Sequence, residues 1–288
     1  MPEGPEIRRA ADRIERVLGG QVLEEVRFDR TAFPALARRQ RALVGSRVLR
    51  LDTRGKALLT RLDSGLSIYS HNQLYGRWYV RARDDYPVTN RSLRLALHTA
   101  EHSALLYSAS EIDLLDAAAE AEHPFLRKLG PDLLDPALTW RVLAERLAAP
   151  QFAGRTLGAL YLEQGFLAGL GNYLRSEILF HAGLSPWAKP ALLRRGALGT
   201  LARTTLKIGT RAYRSGGVCN PPQLYRRLKR RYREVDGGHP RGEHEAIRFA
   251  VFDRAGLPCH TCGTVVEKTA ISARRLYYCP VCQREGEP

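Results

Sequence analysis

Four cysteines near the end of the chain constrain its fold more than any other feature of the sequence. They lie in CHTCGTVVEKTAISARRLYYCPVC with the spacing C-x2-C-x16-C-x2-C, and they are Cys259, Cys262, Cys279 and Cys282. Four thiolates at this spacing suit a closed tetrahedral Zn²⁺ site, in which each C-x2-C forms a tight knuckle and the residues between form a hairpin. So short a module depends on its metal to stay folded. The sequence therefore predicts a zinc ribbon with one structural zinc ion, and the alternative is unliganded thiols or a redox pair.

The residues between the two knuckles include the basic pair Arg274 and Arg275. The stretch ISARR is predicted to form the tip of the hairpin, from which both arginines would project together toward a phosphate backbone. His260 lies within the first knuckle but is surplus to four cysteine ligands, so we expect it to face solvent. A basic zinc ribbon by itself fits nucleic-acid binding, a protein contact or a purely structural role.

The charge balance favours a polyanionic partner. Among 288 residues the chain has 45 Lys and Arg against 30 Asp and Glu, a formal net charge of +15. Nucleic acid is the first candidate, and an arginine-rich but merely solvated surface is the alternative. No apolar run reaches the ~18 residues of a membrane span, and the paired cysteines are unlike a disulfide framework. We therefore expect a cytoplasmic protein without membrane contact, associated with the nucleoid when bound to DNA.

Helical and strand patterns predict a multidomain α+β protein. Apolar residues recur at helical spacing over residues 5–18, short β-rich runs follow from 21 to 115, and helical patterns return after a proline-containing stretch. The strand-rich part suits a sandwich or a flattened barrel. The predicted division is a β-sandwich domain with an N-terminal helix at 1–130, a linker at 131–139, a helical domain at 140–250 and the zinc ribbon at 251–288. An arginine-rich insertion near 214–246 is expected to be mobile, and it either contacts DNA or is a solvated loop.

The opening MPEGPE places a proline directly after the initiator methionine. Removal of a methionine before so small a residue is usual, and it would leave Pro2 with a free secondary amine. A terminal amine has an ordinary pKa of about 8, so more of it is neutral and nucleophilic at neutral pH than of a lysine side chain at about 10.4. Pro2 is therefore a candidate nucleophile, and an inert first residue is the alternative.

Four separated segments resemble one family when they are taken together. They are the MPEGPE start, TRGKALL with SHNQLYG in the strand-rich part, GFLAGLGNYLRSEILF in the helical part, and the terminal four-cysteine ribbon. In this order, and over nearly the whole chain, they resemble the formamidopyrimidine-DNA glycosylase family of base-excision repair enzymes. The resemblance implies an N-terminal β-sandwich, a helical domain with a helix–two-turn–helix motif, and a zinc ribbon, with DNA held in a cleft between the two halves.

The resemblance also implies the catalytic residues. Pro2 would attack C1′ of the damaged nucleotide and form an imine as the base leaves, and successive β- and δ-elimination would then cut the strand. Glu3 would move protons during base loss and ring opening. Lys56 would bind phosphate beside the lesion, and Arg274 is assigned to the same catalytic group. Glu6 suits the first turn of a helix on dipole grounds alone, so a structural role is equally open.

Two further segments are implied to bind DNA. Gln73, Leu74 and Tyr75 in SHNQLYG lie between two strand patterns and would fill the space left by a base that has been flipped out of the duplex. The alternative is a hairpin folded onto its own core. Asn172 in GLGN is a predicted helix cap, and the free N–H groups of that helix start, with the Asn amide, would bind phosphate.

The expected substrate is oxidised pyrimidine in double-stranded DNA, acted on by a monomer. This expectation rests on the start MPEGPEIRRAAD and on the triplet at 73–75, which resemble the pyrimidine-directed members of the family. A purine-directed enzyme acting on 8-oxoguanine or formamidopyrimidine remains the first alternative, because the insertion near 214–246 falls where such enzymes carry a base-capping loop. A non-catalytic zinc-ribbon DNA-binding protein is the second.

Overall fold

An amphipathic helix opens the first of two units. The computed structural model describes residues 2–236 and 247–284, and the chain divides into Met1–Leu129 and Gly130–Pro288. Helix α1 covers Gly4–Leu18 and confirms the helix predicted over 5–18. Its buried apolar residues recur at helical spacing, so one face of the helix packs on the sheets: Ile7, Ala10, Ala11, Ile14 and Leu18.

Eight strands follow in the first unit, with short helical turns between some of them. The strands are β1 (Glu25–Phe28), β2 (Val48–Arg54), β3 (Ala57–Leu62), β4 (Ser67–His71), β5 (Arg77–Ala82), β6 (Leu93–His98), β7 (His102–Tyr107) and β8 (Glu111–Leu115). The turns are α2 (Pro34–Arg39), a 3₁₀ turn at Gln40–Leu43, α3 (Ala117–Glu122) and a 3₁₀ turn at Leu126–Lys128.

The strands form two antiparallel sheets, ordered β1-β6-β7-β5 and β2-β3-β4-β8. Side chains from both sheets and from α1 share one core, which includes Leu51, Ile68 and Leu106. The other face of β4 is also covered, because Tyr69 packs with Leu126, and β4 is therefore buried along its whole length. The unit is the β-sandwich with an N-terminal helix that the sequence predicts.

The second unit contains helices and one hairpin. The helices are α4 (Trp140–Ala148), α5 (Pro150–Ala153), α6 (Leu157–Leu160), α7 (Asn172–Ala182), a 3₁₀ turn at Pro190–Leu192, α8 (Arg195–Ser215) and α9 (Pro222–Asp236). Strands β9 (Glu267–Ile271) and β10 (Arg274–Tyr278) form the antiparallel hairpin. None of the helices in the described ranges is long and apolar enough to cross a membrane.

Two stretches that looked irregular in the sequence have definite structure. Leu133 and Leu138, within the predicted linker, are buried in the core of the second unit, and the N–H of Leu133 donates to the carbonyl of Ala168 at 3.0 Å. Much of the insertion expected to be mobile is helix α9, while 237–246 lie outside the described residues. The finer division of the second unit into linker, helical domain and ribbon stays a prediction.

Candidate active site and zinc finger

The start of α1 places a buried acid next to the candidate nucleophile. Glu3 is the N-cap of α1: its side chain accepts from the backbone N–H of Glu6, and the Glu6 carboxylate accepts from the backbone N–H of Glu3 at 3.0 Å. This reciprocal capping box fixes both acids on the first helical turn. Glu3 is only 2% exposed, so it is not a solvated terminal residue, and Pro2 beside it is half-buried.

Pro2 and Glu6 line a cavity of about 490 Å³ in the first unit. The same cavity is lined by Leu74 and Tyr75 from the loop between β4 and β5. Pro2, the predicted nucleophile, therefore lines the same cavity as Leu74 and Tyr75 from the predicted DNA-binding group. Gln73 is not part of its lining.

Lys56 lies on the tight turn between β2 and β3, as predicted. Gly55 before it has a φ of 61°, a left-handed conformation that glycine adopts without strain. Ala57 after it pairs in register with His71 at the end of β4. The pKa of His71 is lowered, mainly by burial and further by the charge of Lys56, while Glu111 acts in the opposite direction. The charge of Lys56 therefore acts on His71, at the strand end where the loop between β4 and β5 begins.

The wedge loop, residues 72–76, crosses from one sheet of the sandwich to the other. The N–H of Gly76 donates to the carbonyl of Asn72 at 2.7 Å, and a Cβ at position 76 would lie 2.4 Å from that oxygen, so only glycine closes the loop this tightly. Leu74 is 56% and Tyr75 is 68% exposed. The loop is therefore not a hairpin folded onto its own core, and it presents two apolar side chains to solvent.

A partly buried network holds Gln73 at the base of the wedge loop. Its side-chain amide donates to Oε2 of Glu111 at 2.7 Å, and its backbone N–H donates to Nδ1 of His71 at 3.1 Å. The Tyr69 hydroxyl donates to the other Glu111 oxygen at 2.9 Å. Gln73 has a φ of 49°, which non-glycine residues seldom adopt. The network offsets this local strain and sets the direction in which Leu74 leaves the sandwich.

Asn172 is the first residue of α7 and not its cap, which corrects the predicted capping role. The N-cap is Gly171, and no side chain caps the helix. The side chain of Gln164 holds the preceding loop, because it accepts from the N–H of Gly169 at 3.1 Å and donates to the carbonyl of Leu170 at 2.9 Å. Asn172 is half-buried at a helix start, a position that suits phosphate binding.

Three consecutive polar residues within α7 bind the rest of the second unit. Arg175 is fully buried, and its guanidinium donates to the carbonyl of Gly158 at 2.7 Å and to those of Arg274 and Arg275 at 3.2 and 2.8 Å. Ser176 accepts the N–H of Tyr277 at 3.2 Å. Two residues of α7 therefore grip β10 through its backbone.

Glu177, the third of these residues, is also fully buried. Its carboxylate accepts three backbone N–H groups, from Ala250 at 2.8 Å and from Val251 and Phe252 at 2.9 Å each. Burial raises the pKa of Glu177, and the three N–H donors partly offset that effect. Glu177 thus fixes the segment that leads into the zinc finger.

The hairpin between the knuckles turns at Ser272 and Ala273, which have φ values of 53° and 56°. Arg274 and Arg275 are the first residues of β10 and both are exposed. Successive side chains of a strand point to opposite faces. Arg275 interacts with Tyr277 two positions on, as this alternation requires. Arg274 and Arg275 therefore lie on opposite faces of β10, and the expectation that they project together is wrong.

The four cysteines form a cluster that fits one zinc ion. Their sulfur atoms all lie within 4.8 Å of one another, with 3.9 Å between Cys259 and Cys282 and 3.5 Å between Cys262 and Cys279. A tetrahedron with Zn–S bonds of about 2.3 Å has edges of about 3.8 Å between sulfur atoms. All four ligand positions are filled by protein, so the predicted structural zinc site is confirmed as a four-cysteine cluster.

His260 is half-buried, which corrects the expectation that it faces solvent. Burial, followed by the charges of Arg254, Arg227 and Arg231, lowers its pKa to about 4. Arg227 and Arg231 belong to α9, so this helix lies close to the first knuckle of the finger.

Sequence reasoning did not find several residues that shape these sites. Arg175 and Glu177 stand in the segment NYLRSEILF, of which only the first residue was singled out. The sequence does contain an indication of their role, because three consecutive polar residues stand between apolar residues in this helical segment. Polar side chains that are buried with such apolar neighbours need hydrogen-bond partners inside the protein. Glu111 and His71 carried no comparable signal, because their partners come from other strands.

Comparisons with known proteins agree with this geometry. A model of the formamidopyrimidine-DNA glycosylase N-terminal domain matches residues 1–110, and a model of a zinc finger found in FPG and IleRS matches residues 256–284. Endonuclease 8 of Escherichia coli is 46% identical over 283 residues, covering 98% of this chain and 100% of that protein. Endonuclease 8 of Shigella sonnei is 45% identical over the same length.

Solved structures show the same fold. The complex of Lactococcus lactis Fpg with abasic-site DNA has a TM-score of 0.76 at 19% identity, and covers 98% of this chain and 99% of its own. MutM in complex with DNA that contains carbocyclic 8-oxo-G also has a TM-score of 0.76 at 19% identity, and covers 98% of this chain and 100% of its own.

The β-sandwich unit, the helical unit and the four-cysteine finger have the architecture of a formamidopyrimidine-DNA glycosylase. The chain belongs to the formamidopyrimidine-DNA glycosylase family, on the strength of the endonuclease 8 relatives that match it over almost its whole length. It is accordingly a base-excision repair DNA glycosylase with abasic-site lyase activity.

Proposed function

We propose that the protein removes oxidised pyrimidines from duplex DNA and then cuts the strand, with Pro2 as the nucleophile. The observation that carries the proposal is the single cavity around which Pro2 meets Leu74 and Tyr75. A flipped nucleotide and the wedge that replaces it must lie next to each other, and this cavity has both kinds of group in its wall.

The chemistry follows from the start of α1. The secondary amine of Pro2, freed by removal of Met1, attacks C1′ of the damaged nucleotide, and the base departs with the electrons of the glycosidic bond. Glu3, which the capping box holds beside the amine, supplies a proton to the opening sugar ring. Loss of a proton from C2′ of the resulting imine expels the 3′ phosphate by β-elimination, and δ-elimination then expels the 5′ phosphate.

The remaining site residues bind the substrate. Lys56 binds a phosphate beside the lesion, from its turn near the base of the wedge loop. Asn172 at the start of α7 and Arg274 at the start of β10 bind further phosphates. Gln73, Leu74 and Tyr75 fill the space that the flipped nucleotide leaves.

The partner is double-stranded DNA bound by a monomer. The solved structures with the same fold include complexes with abasic-site DNA and with 8-oxo-G DNA, and the net charge of +15 suits a polyanion. The curated relatives at 45–46% identity are endonuclease 8 enzymes, whereas these Fpg and MutM structures are 19% identical. This difference favours a pyrimidine-directed enzyme over a purine-directed one.

Single-turnover kinetics on matched duplexes test the proposal. We expect thymine glycol, 5-hydroxycytosine or dihydrouracil to be removed faster than 8-oxoguanine opposite cytosine. We also expect the cleaved strand to carry a phosphate at both ends of a one-nucleotide gap, which is the product of β,δ-elimination. A preference for 8-oxoguanine would assign the protein to the purine-directed branch, and binding without base removal would make it a non-catalytic DNA-binding protein.

A further inference from the structure

Arginine side chains gather in the cavity beneath the wedge loop. Helix α1 turns one face toward it, since Glu6, Ala10 and Arg13 follow one another at helical spacing and all line the cavity. Arg77, at the start of β5, and Arg91 line it from the sheet side. Neither the family resemblance nor the catalytic roles proposed above involve these arginines.

The three arginines form no ion pair within the described part of the chain. Among the described residues, no carboxylate lies within ion-pair distance of Arg13, Arg77 or Arg91. Arg81, which also lines the cavity, is 3.8 Å from Asp85 and is therefore compensated.

The other contacts of the cluster leave guanidinium donors available. Arg77 stacks on the ring of Tyr79, with its Cζ atom 5.0 Å from the ring centroid. Arg91 donates from Nη1 to the carbonyl of Tyr75 and so supports the wedge loop. Glu6 is the acid in the cavity wall, and its carboxylate already accepts the N–H of Glu3.

The positive charges are close enough to repel one another. The pKa of Arg13 is lowered by burial and then by the charges of Arg9 and Arg77. Like charges that converge on one space destabilise the folded protein unless an anion joins them. Guanidinium groups bind phosphate oxygens with paired N–H donors, so phosphate is the anion that they suit best.

We propose that Arg13, Arg77 and Arg91 form a binding site for one backbone phosphate of the bound DNA, beneath the wedge loop. The inference rests on the proposed function, because it takes the DNA to run past the cavity that holds Pro2. Since Arg91 also holds the carbonyl of Tyr75, phosphate binding at this site couples the position of the DNA backbone to the position of the wedge.

Salt-dependent binding tests the site. Arg13→Gln and Arg77→Gln are compared with Arg8→Gln, which removes the same charge from another face of α1, where Arg8 pairs with Asp12 at 2.8 Å. Affinity is measured over a series of salt concentrations for a duplex that contains an abasic-site analogue. We expect the slope of log K against log salt to become shallower by about one unit in Arg13→Gln and Arg77→Gln.

We expect Arg13→Lys to restore the slope because it keeps the charge, and the slope of Arg8→Gln to stay close to that of the wild type. Slopes in Arg13→Gln and Arg77→Gln that equal the Arg8→Gln slope would overturn the inference.

Replacing single DNA phosphates by neutral methylphosphonates identifies the phosphate that the three arginines bind. Single methylphosphonates are placed in turn at each position near the lesion in both strands. One position should weaken binding by the wild type but not by the Arg13→Gln, Arg77→Gln double variant. If no position loses its effect in that variant, the phosphate site is absent. Wild-type protein that cleaves lesion-containing duplex while this scan fails would overturn the phosphate site alone, whereas wild type that cleaves nothing would overturn the proposed function.

Discussion

The start of α1 is held by contacts between neighbouring residues, whereas the zinc-finger hairpin is held by contacts between distant ones. The proposed mechanism uses residues from both regions. At the start of α1, the bonds that fix Glu3 and Glu6 join residues only three positions apart. In the hairpin, the guanidinium of Arg175 grips carbonyls 99 and 100 positions further along the chain. The first arrangement forms as soon as its helix forms, whereas the second requires a metal and a distant helix together.

This difference predicts in which region a substitution unfolds the protein and in which it changes only the reaction. Changes in the zinc finger should remove structure and DNA binding together, while changes at the wedge loop or near Pro2 should alter single steps in a protein that stays folded. The expected effects below run from the largest to the smallest.

Loss of one zinc ligand should have the largest effect. We expect Cys279→Ser to release the zinc ion and abolish tight DNA binding, because a closed four-thiolate site couples metal binding to folding. The control is Cys219→Ser, which changes a buried cysteine outside the cluster and should keep one zinc per chain. Metal analysis and DNA binding are measured on the same samples. Full zinc content in Cys279→Ser, or no zinc in freshly purified wild type, would contradict this account of the finger.

Arg175→Ala should destabilise the second unit by about 2–5 kcal/mol, because it removes the guanidinium donors from the buried carbonyl of Gly158 and from the partly buried carbonyls of Arg274 and Arg275. Arg175→Lys should recover part of this loss, since an ammonium group cannot reach all three carbonyls in the geometry of a guanidinium. The free energy of unfolding is measured by denaturant titration. Equal stability of Arg175→Ala and wild type would show that the hairpin does not depend on α7.

Leu74→Ala should slow base removal from duplex DNA by about tenfold or more, because opening the base stack costs a few kcal/mol. Strand cleavage at a preformed abasic site should fall less, since less unstacking is needed there. Val88→Ala, a change at a fully exposed apolar residue outside the wedge loop, is the control and should leave both rates intact. Equal losses on the two substrates would remove the wedge role from Leu74.

The smallest effect concerns the network at the base of the wedge loop. Burial and Lys56 lower the pKa of His71, and Glu111 raises it. Lys56→Gln should therefore raise the pKa of His71 toward its ordinary value, and Glu111→Gln should lower it further. Titration of the imidazole by NMR checks both signs. Shifts in the same direction in the two variants would contradict the arrangement of charges around the loop.

Features that depend on residues close together in the sequence could be predicted from the sequence. The cysteine spacing, the helix after Pro2 and the loop that exposes Leu74 and Tyr75 are all encoded within short segments, and the structure contains each of them. The turn that carries Lys56 between β2 and β3 was also predicted from a short segment.

Contacts between distant segments could not be read in this way. The hydrogen bond from Arg175 to the carbonyl of Arg274 could not be predicted, because a single sequence does not show which buried donor contacts a carbonyl 99 positions away. The position of Asn172 was misjudged by one residue, since Gly171 takes the cap. Helix α9 was expected to be a mobile loop, because its arginine content concealed a helical pattern of apolar positions.

Borohydride trapping tests the central claim, the attack of Pro2 on C1′, most directly. Only an imine is reduced to a stable bond, so wild-type protein mixed with lesion-containing duplex and borohydride should give a covalent complex. Mass spectrometry of the digested complex should map the bond to Pro2. We expect the crosslink to be lost in Pro2→Gly and the variant to keep DNA binding. A normal yield of crosslink in Pro2→Gly, or a bond mapped to one of the lysines, would contradict the account.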